Sequence, residues 1–370
     1  MTQSQKAGSG SSQVQVHGDV INQTFQLGPT KQEMEVALRE EGDRILDTIR
    51  KEVAATYVAE GQVVAQSRIG LFDQKLLDVL AHEGTLDALK DPAFQVLLKR
   101  AQIGAASTER EADYDLLANL LGERTRDGDR RARASIARAV DVVDSLDDAA
   151  LQGLTLLFYL WDLQPGQGDI ETGLDFYSRG LGKIGFDILP MGEGWLDHID
   201  ILGLARIERT GSQTLKNFQE KFAAAVPGYT CRGVAEDQAL NVEKKFLDEA
   251  GVEFKLVPHY LKPGYLRLPY ARIESLKANL ESPPLSSKQQ QRAVEIAISD
   301  TGIDQHDPDV VPRFVEAVDA RPELAACAAW WNQIPYPPIR TSAGTAVGYS
   351  NAARFISMAG VPPLHEYLLR

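Results

Sequence analysis

Residues 109–163 read EREADYDLLANLLGERTRDGDRRARASIARAVDVVDSLDDAALQGLTLLFYLWDL, and this stretch decides the fold. Three apolar sets follow one another along it: Tyr114, Leu117, Leu120 and Leu121; Ile136, Val140 and Val143; Leu151, Leu154, Leu157 and Phe158. Each recurs at three-and-four spacing, which lines the side chains on one stripe of a helix and obliges that stripe to bury against a neighbour. The stretch predicts a packed helical core. The chain is therefore expected to be mainly α: a helical bundle with small winged-helix-like α+β modules in its C-terminal half. No catalytic residue, metal ligand or cofactor is expected.

A chain of 370 residues, 44% hydrophobic, has apolar material for two or three cores. Its formal net charge of −13 disfavours general affinity for nucleic acid or anionic membrane, because both surfaces repel it at long range. Cys231 and Cys327 are too few for a disulfide framework and lack zinc-site spacing, so buried thiols in a reducing cytoplasm are expected. The longest nearly apolar run, Leu151 to Leu163, contains Gln152, Thr155 and Asp162 and is too short for a membrane span. The polar start of the sequence lacks the pattern of a secretory signal, which again points to the cytoplasm.

Four segments are expected: a flexible arm with a short β motif at 1–29, a helical domain at 30–165, a winged-helix-like domain at 166–281 and a C-terminal helical domain at 282–370. In the arm, QVQVHGDVINQTFQL at 13–27 alternates Val14, Val16, Val20 and Phe25 with polar residues, the two-residue period of a strand. A lone strand needs a partner, so it either packs on its own subunit or self-associates with copies of itself. Thr30 then opens a capping box with Glu33. From there Met34, Leu38, Ile45, Ile49, Val53, Tyr57, Val64 and Leu71 keep a helical stripe that suits a coiled coil or a helix laid on the next bundle. Gly42, Gly61 and Gly70 weaken the coiled coil, so packing within the subunit is favoured.

Arg124, Arg126, Arg130, Arg131, Arg133 and Arg138 face only Asp127 and Asp129 as nearby acids. They crowd the start of a helix, where the macrodipole disfavours cations, so something negative must compensate. That partner is either an ion-pair network of surplus carboxylates or the phosphate of a nucleotide or nucleic acid. Gly180-Leu181-Gly182-Lys183-Ile184-Gly185 has the spacing of a dinucleotide fingerprint, but LDFYSR before it does not read as a strand and Pro190 interrupts the helix that the fingerprint requires after it. A helix end is the better reading. His198, between Asp197 and Asp200, lacks the spacing of a metal site.

Leu196, Ile199 and Leu202 mark a helix ending at Gly203, a strand comes next at Leu204 to Glu208, Gly211 turns it, and a second helix opens at Thr214. That order suggests a wing, and Ile339 to Met358 repeats it as a second, diverged copy. Val252 to Pro258 and Tyr265 to Leu268 read as strands of a further small sheet. Trp330-Trp331 with Pro335 to Pro338 suggests a clasp in the core or a peptide groove.

Asp91-Pro92-Ala93-Phe94, 113–124 (DYDLLANLLGER), Ser145-Leu146-Asp147, Leu202-Gly203-Leu204 and Thr214 to Phe222 together make the chain resemble uncharacterised bacterial proteins related to the Abi-alpha abortive-infection type. The similarity runs over about 60–226, with an echo at 339–355, and Asn217 stands where that family's helix opens with glycine. The resemblance implies a helical bundle with winged-helix-like modules and a role in defence against phage. It carries over no catalytic residues. Residues 13–27 also resemble short N-terminal motifs of bacterial immune proteins that stack as cross-β. The expected function is a non-enzymatic, self-associating sensor or adaptor, a homo-oligomer that meets a phage or host protein. The alternatives are an effector acting on nucleotides or nucleic acid through Arg124 to Arg138, and a DNA-binding regulator acting through the wing.

Overall fold

A computed structural model describes residues 30–126, 128–165, 168–186, 188–209, 217–281, 285–358 and 361–369. Val14, Val16, Val20 and Phe25 of the strand motif lie outside the described residues, as do Gly211 and Thr214 of the expected wing. The chain divides into two units between Gln66 and Ser67.

The first unit holds the opening residues of α1 (Lys31–Glu83), a helix of 53 residues. Gly42 and Gly61 lie inside it without breaking it, and nothing packs within 4 Å of where their Cβ atoms would sit. Met34, Ile45, Ile49, Val53, Tyr57 and Val64 are exposed there, against the expectation of packing within the subunit. In the second unit the expectation is met on a different face. Phe72, Leu76 and Leu80 are buried while Leu71 is not, because one residue along a helix turns the side chain by about 100°.

The second unit continues through α2 (Pro92–Ser107), α3 (Glu111–Arg126), α4 (Arg130–Val140), α5 (Asp148–Trp161), α6 (Ile170–Ile184) and α7 (Gly194–Ile201). Strand β1 (Ala205–Ile207) precedes α8 (Phe218–Ala225). Then come β2 (Val234–Ala235), α9 (Ala239–Lys245), β3 (Val257–Pro258), β4 (Tyr265–Arg267), α10 (Ile273–Leu280) and α11 (Ser287–Ile296). The described chain finishes with α12 (Val311–Asp319), α13 (Pro322–Trp331), β5 (Pro338–Arg340), α14 (Ser342–Ala352) and α15 (Leu364–Leu368). The fold is mainly α with small antiparallel sheets, as the apolar periodicity predicts.

Short polar side chains start these helices. Asp91, Asp129, Asp147, Asp169 and Asn217 each accept from backbone N–H groups of the first turn of α2, α4, α5, α6 and α8. Ser286 and Gln289 form a full capping box on α11, and Thr341 accepts from Gly344 N on α14. Each cap satisfies donors that the helix itself leaves unpaired.

At the centre, α14 lies against α5. A Cβ on Gly344 would fall 1.9 Å from the Leu204 carbonyl oxygen, and one on Gly348 would fall 2.6 Å from the Leu154 oxygen. Buried Asn351 donates to Thr155 Oγ1 at 2.7 Å across the same contact. An aromatic cluster extends from it: Trp161 meets Trp331 edge-on at 5.2 Å, and Phe222 meets Tyr177 at 4.9 Å. Trp330 Nε1 donates to Pro190 O at 2.7 Å, so the two tryptophans form a clasp in the core. This core runs from Phe72 to Leu368 and takes side chains from all three segments expected as separate domains. A smaller core within Val234–Ile303 packs Phe246, Phe254, Leu276 and Ile296 beneath the three-stranded sheet β2-β4-β3.

The sheets revise the reading of two wings. β1 pairs antiparallel with β5, Ala205 opposite Arg340 and Ile207 opposite Pro338. The two strand-to-helix steps that look like copies of one module are thus the two halves of a single ribbon. A strand of three residues cannot stand alone, and nothing local in the sequence says that its partner lies so far along the chain.

The glycines provide a direct test of the α5–α14 contact. Gly348→Ala should cost about 1–3 kcal/mol in denaturant melts, since the obstructing atoms are backbone and Phe158 Cβ. Gly182→Ala, in the last turn of α6 with open space around it, should instead stabilise by up to about 0.5 kcal/mol.

Candidate functional site

The six arginines singled out in the sequence are put to different uses. Arg126 bridges Glu83 and Glu123, each at 2.7 Å. Arg138 Nη2 donates to Leu202 O at 2.8 Å and so closes the C-terminal end of α7. Arg124 is buried at the end of α3, Arg133 is half-buried, and Arg130 and Arg131 are exposed in the first turn of α4. The negative group that this helix start needs is Asp129. It accepts from Arg131 N at 2.7 Å and Ala132 N at 3.0 Å, and those N–H groups hold its carboxyl below the usual range.

The expected helix end at 180–185 is observed: Gly180 to Ile184 complete α6, and Gly185 caps it in the left-handed region at φ 94°. Gly180 is there for contact, since a Cβ would fall on the Tyr159 hydroxyl. His198 Nε2 lies 2.8 Å from Ser145 O, a carbonyl that can only accept, so the ring donates to it. Among the described residues no group of three histidines, cysteines or acids could hold a metal ion.

Sequence reading missed a buried polar knot that ties the small core to the large one. Arg267 is fully buried, and Nη1 donates to the carbonyls of Leu268 and Tyr270. Nη2 donates to Gly168 O at 3.0 Å, and the guanidinium lies over the Tyr229 ring at 5.0 Å. Burial among neutral acceptors pulls its pKa down from the ordinary value. Beside it, His259 is 2% exposed and donates from Nε2 to Cys231 O at 2.9 Å. Burial lowers its pKa to about 4, so the ring is neutral. Neither residue stands in a recognisable motif.

Among the clefts on the second unit, two lie beside the large core. One, of about 550 Å³, is lined by Asp162, Gln164, Arg272, Ser275, Asn279 and Tyr367 among others. Asp162 is paired with Arg340 and Arg272 donates to the Ala225 and Trp161 carbonyls, while Glu274 also lines the wall. With its amide nitrogen donating to Ser275 Oγ at 2.7 Å, Gln164 also accepts from Arg272 at 2.8 Å. The other, about 540 Å³, is crossed by the Lys75–Asp115 pair at 2.6 Å. Asp78 and Arg354 line it as well, Arg354 lying 3.7 Å from Asp115.

The first unit offers a different kind of surface. Met34, Ile45, Leu46, Ile49, Val53, Tyr57, Val58, Val63 and Val64 are each 46% or more exposed on one helix. Scattered apolar residues are ordinary on a protein surface; these run along about 45 Å of one helix.

A family model described only by a bare "-like" designation, which states no activity, matches residues 41–361. The chain belongs to that family. The matched span opens inside α1 and includes the arginine cluster, the polar knot and most of the lining of both clefts, while Tyr367 and the strand motif at 14–25 fall outside it. No curated protein and no solved structure matches the chain. Among the described residues no helix is long and apolar enough to cross a membrane.

The knot makes stability depend on pH. Unfolded, the His259 imidazole takes up a proton near its ordinary value of 6.5; folded, it does so only near 4. Stability should therefore fall as pH drops through that window, by on the order of 3 kcal/mol in total. Thermal melts between pH 7 and pH 4 should record the loss. His259→Gln, which keeps a donor for Cys231 O but does not titrate, should flatten that part of the profile.

Proposed function

We propose that the protein is a non-enzymatic, cytoplasmic scaffold that self-associates through the first part of α1 and serves as a sensor or adaptor in defence against phage. The observation that carries this reading is the exposed apolar run from Met34 to Val64. In proteins most helical stability comes from packing an apolar face against a neighbour, and a second copy would supply that packing here. Asp162 and Arg272 in one cleft and Lys75 and Asp115 in the other are held by intramolecular partners, which supports a contact protein over an enzyme. The role in defence is supported by the resemblance to the Abi-alpha type and by the strand motif at 14–25. The partners on this reading are further copies of the chain and a phage or host protein.

Mass photometry of the full chain tests the assembly. The wild type should form oligomers, and Ile49→Asp combined with Val53→Asp should reduce them to monomers while leaving the tryptophan-reported melt of the second unit unchanged, since both side chains are exposed in the first unit. A wild type that stays monomeric up to tens of micromolar would remove the proposal. Cells producing the wild type should plate phage at least ten-fold less efficiently than cells producing the double variant; equal plating would remove the defence role.

A further inference from the structure

The first part of α1 also carries information about how two copies meet. Six of its exposed apolar residues pair off eleven positions apart, Met34 with Ile45, Leu46 with Tyr57 and Val53 with Val64, and Ile49 falls between their lines, while Val36 and Val58 lie outside the stripe. Eleven residues make three turns at about 3.67 residues per turn, so each pair shares one line along the helix. The flanking charges keep the same repeat. Arg39 and Arg50 are eleven apart, as are Glu41 and Glu52, and all four are exposed. At that period the two arginines lie about 80° to one side of the middle of the apolar stripe, and the two glutamates about 80° to the other.

We infer that the stripe is covered by the same stripe of a second copy, parallel and in register. The charges decide the direction. In a parallel two-fold pair the right flank of one helix abuts the left flank of its partner, so an arginine edge meets a glutamate edge along both sides. Each arginine then sits about 3 Å along the axis from a glutamate of the other chain, within ion-pair reach. An antiparallel pair sets arginine edge against arginine edge and glutamate against glutamate, which like-charge repulsion disfavours. Glu41 already accepts from Arg44 of its own helix at 3.2 Å, and its carboxylate keeps capacity for a second donor. The repeat also explains how the surface tolerates Gly42 and Gly61: the first falls on the line of Val53 and Val64 and the second on that of Arg39 and Arg50, so each costs one contact and leaves the stripe continuous.

This inference rests on the proposed self-association, and disulfide trapping in the full chain separates the two. The native thiols do not interfere, since Cys231 and Cys327 are at most 1% exposed. Ile49→Cys and Val64→Cys are prepared separately and mixed, then oxidised mildly. Parallel in-register pairing requires that each variant link to itself, 49 to 49 and 64 to 64, and that the mixture give no 49-to-64 product. A 49-to-64 link in the mixture without self-linking would overturn the parallel arrangement and leave the assembly intact. A wild type that sediments as an oligomer while neither variant links at all would overturn the stripe as the contact. A wild type that is monomeric would remove both inference and assembly. As a second readout, Arg39→Glu with Arg50→Glu should weaken self-association at least ten-fold, and mixing with Glu41→Arg plus Glu52→Arg should restore it. No weakening would overturn the role given to the charges.

Discussion

The second unit is organised by the closeness of α5 and α14. Gly348 on α14 lacks the side chain that would otherwise hold the two backbones apart, and the space is taken by the Leu154 carbonyl and Phe158, while Gly344 admits the Leu204 carbonyl. Close backbone approach leaves polar groups with no water to fall back on, and the Asn351–Thr155 hydrogen bond meets that need inside the contact. The β1–β5 ribbon depends on the same approach, since Thr341 caps α14 and also donates to Leu204 O, the carbonyl that Gly344 admits. The ribbon is therefore a consequence of helix packing, and its two strands are too short to have organised anything themselves.

Dependence of sheet on helix packing explains which parts of the fold were legible in the sequence. Helices announced themselves, because an apolar stripe and an aspartate or asparagine cap are both local, and the caps at Asp91, Asp129, Asp147 and Asn217 stand where the stripes begin. The hairpin around Lys262-Pro263-Gly264 was legible for the same reason. Pairing between β1 and β5 was not, since its determinant is the distant glycine spacing on α14. The long early stripe misled in part. Period alone cannot tell which of two neighbouring lines on a helix will be covered, and in the second unit the covered line is that of Phe72, Leu76 and Leu80.

The candidate surfaces divide in the same way. Arginine clustering was visible, but no local pattern indicates that Arg126 and Arg138 are committed to Glu83, Glu123 and the Leu202 carbonyl. The knot around Arg267 and His259 was invisible, because its acceptors are backbone carbonyls and any residue supplies those. The exposed run on α1, by contrast, is written almost wholly in the sequence. What the structure adds is that these residues are exposed.

The tryptophans have a consequence for how the molecule can be observed. All four, Trp161, Trp195, Trp330 and Trp331, belong to the large core of the second unit, and none lies between residues 31 and 66. Intrinsic fluorescence thus reports the state of that core and is blind to the opening turns of α1, whereas far-ultraviolet dichroism sums over every helix. A gap between the two signals on heating would report helix lost outside the large core, in the first unit or around the smaller core, with no label attached.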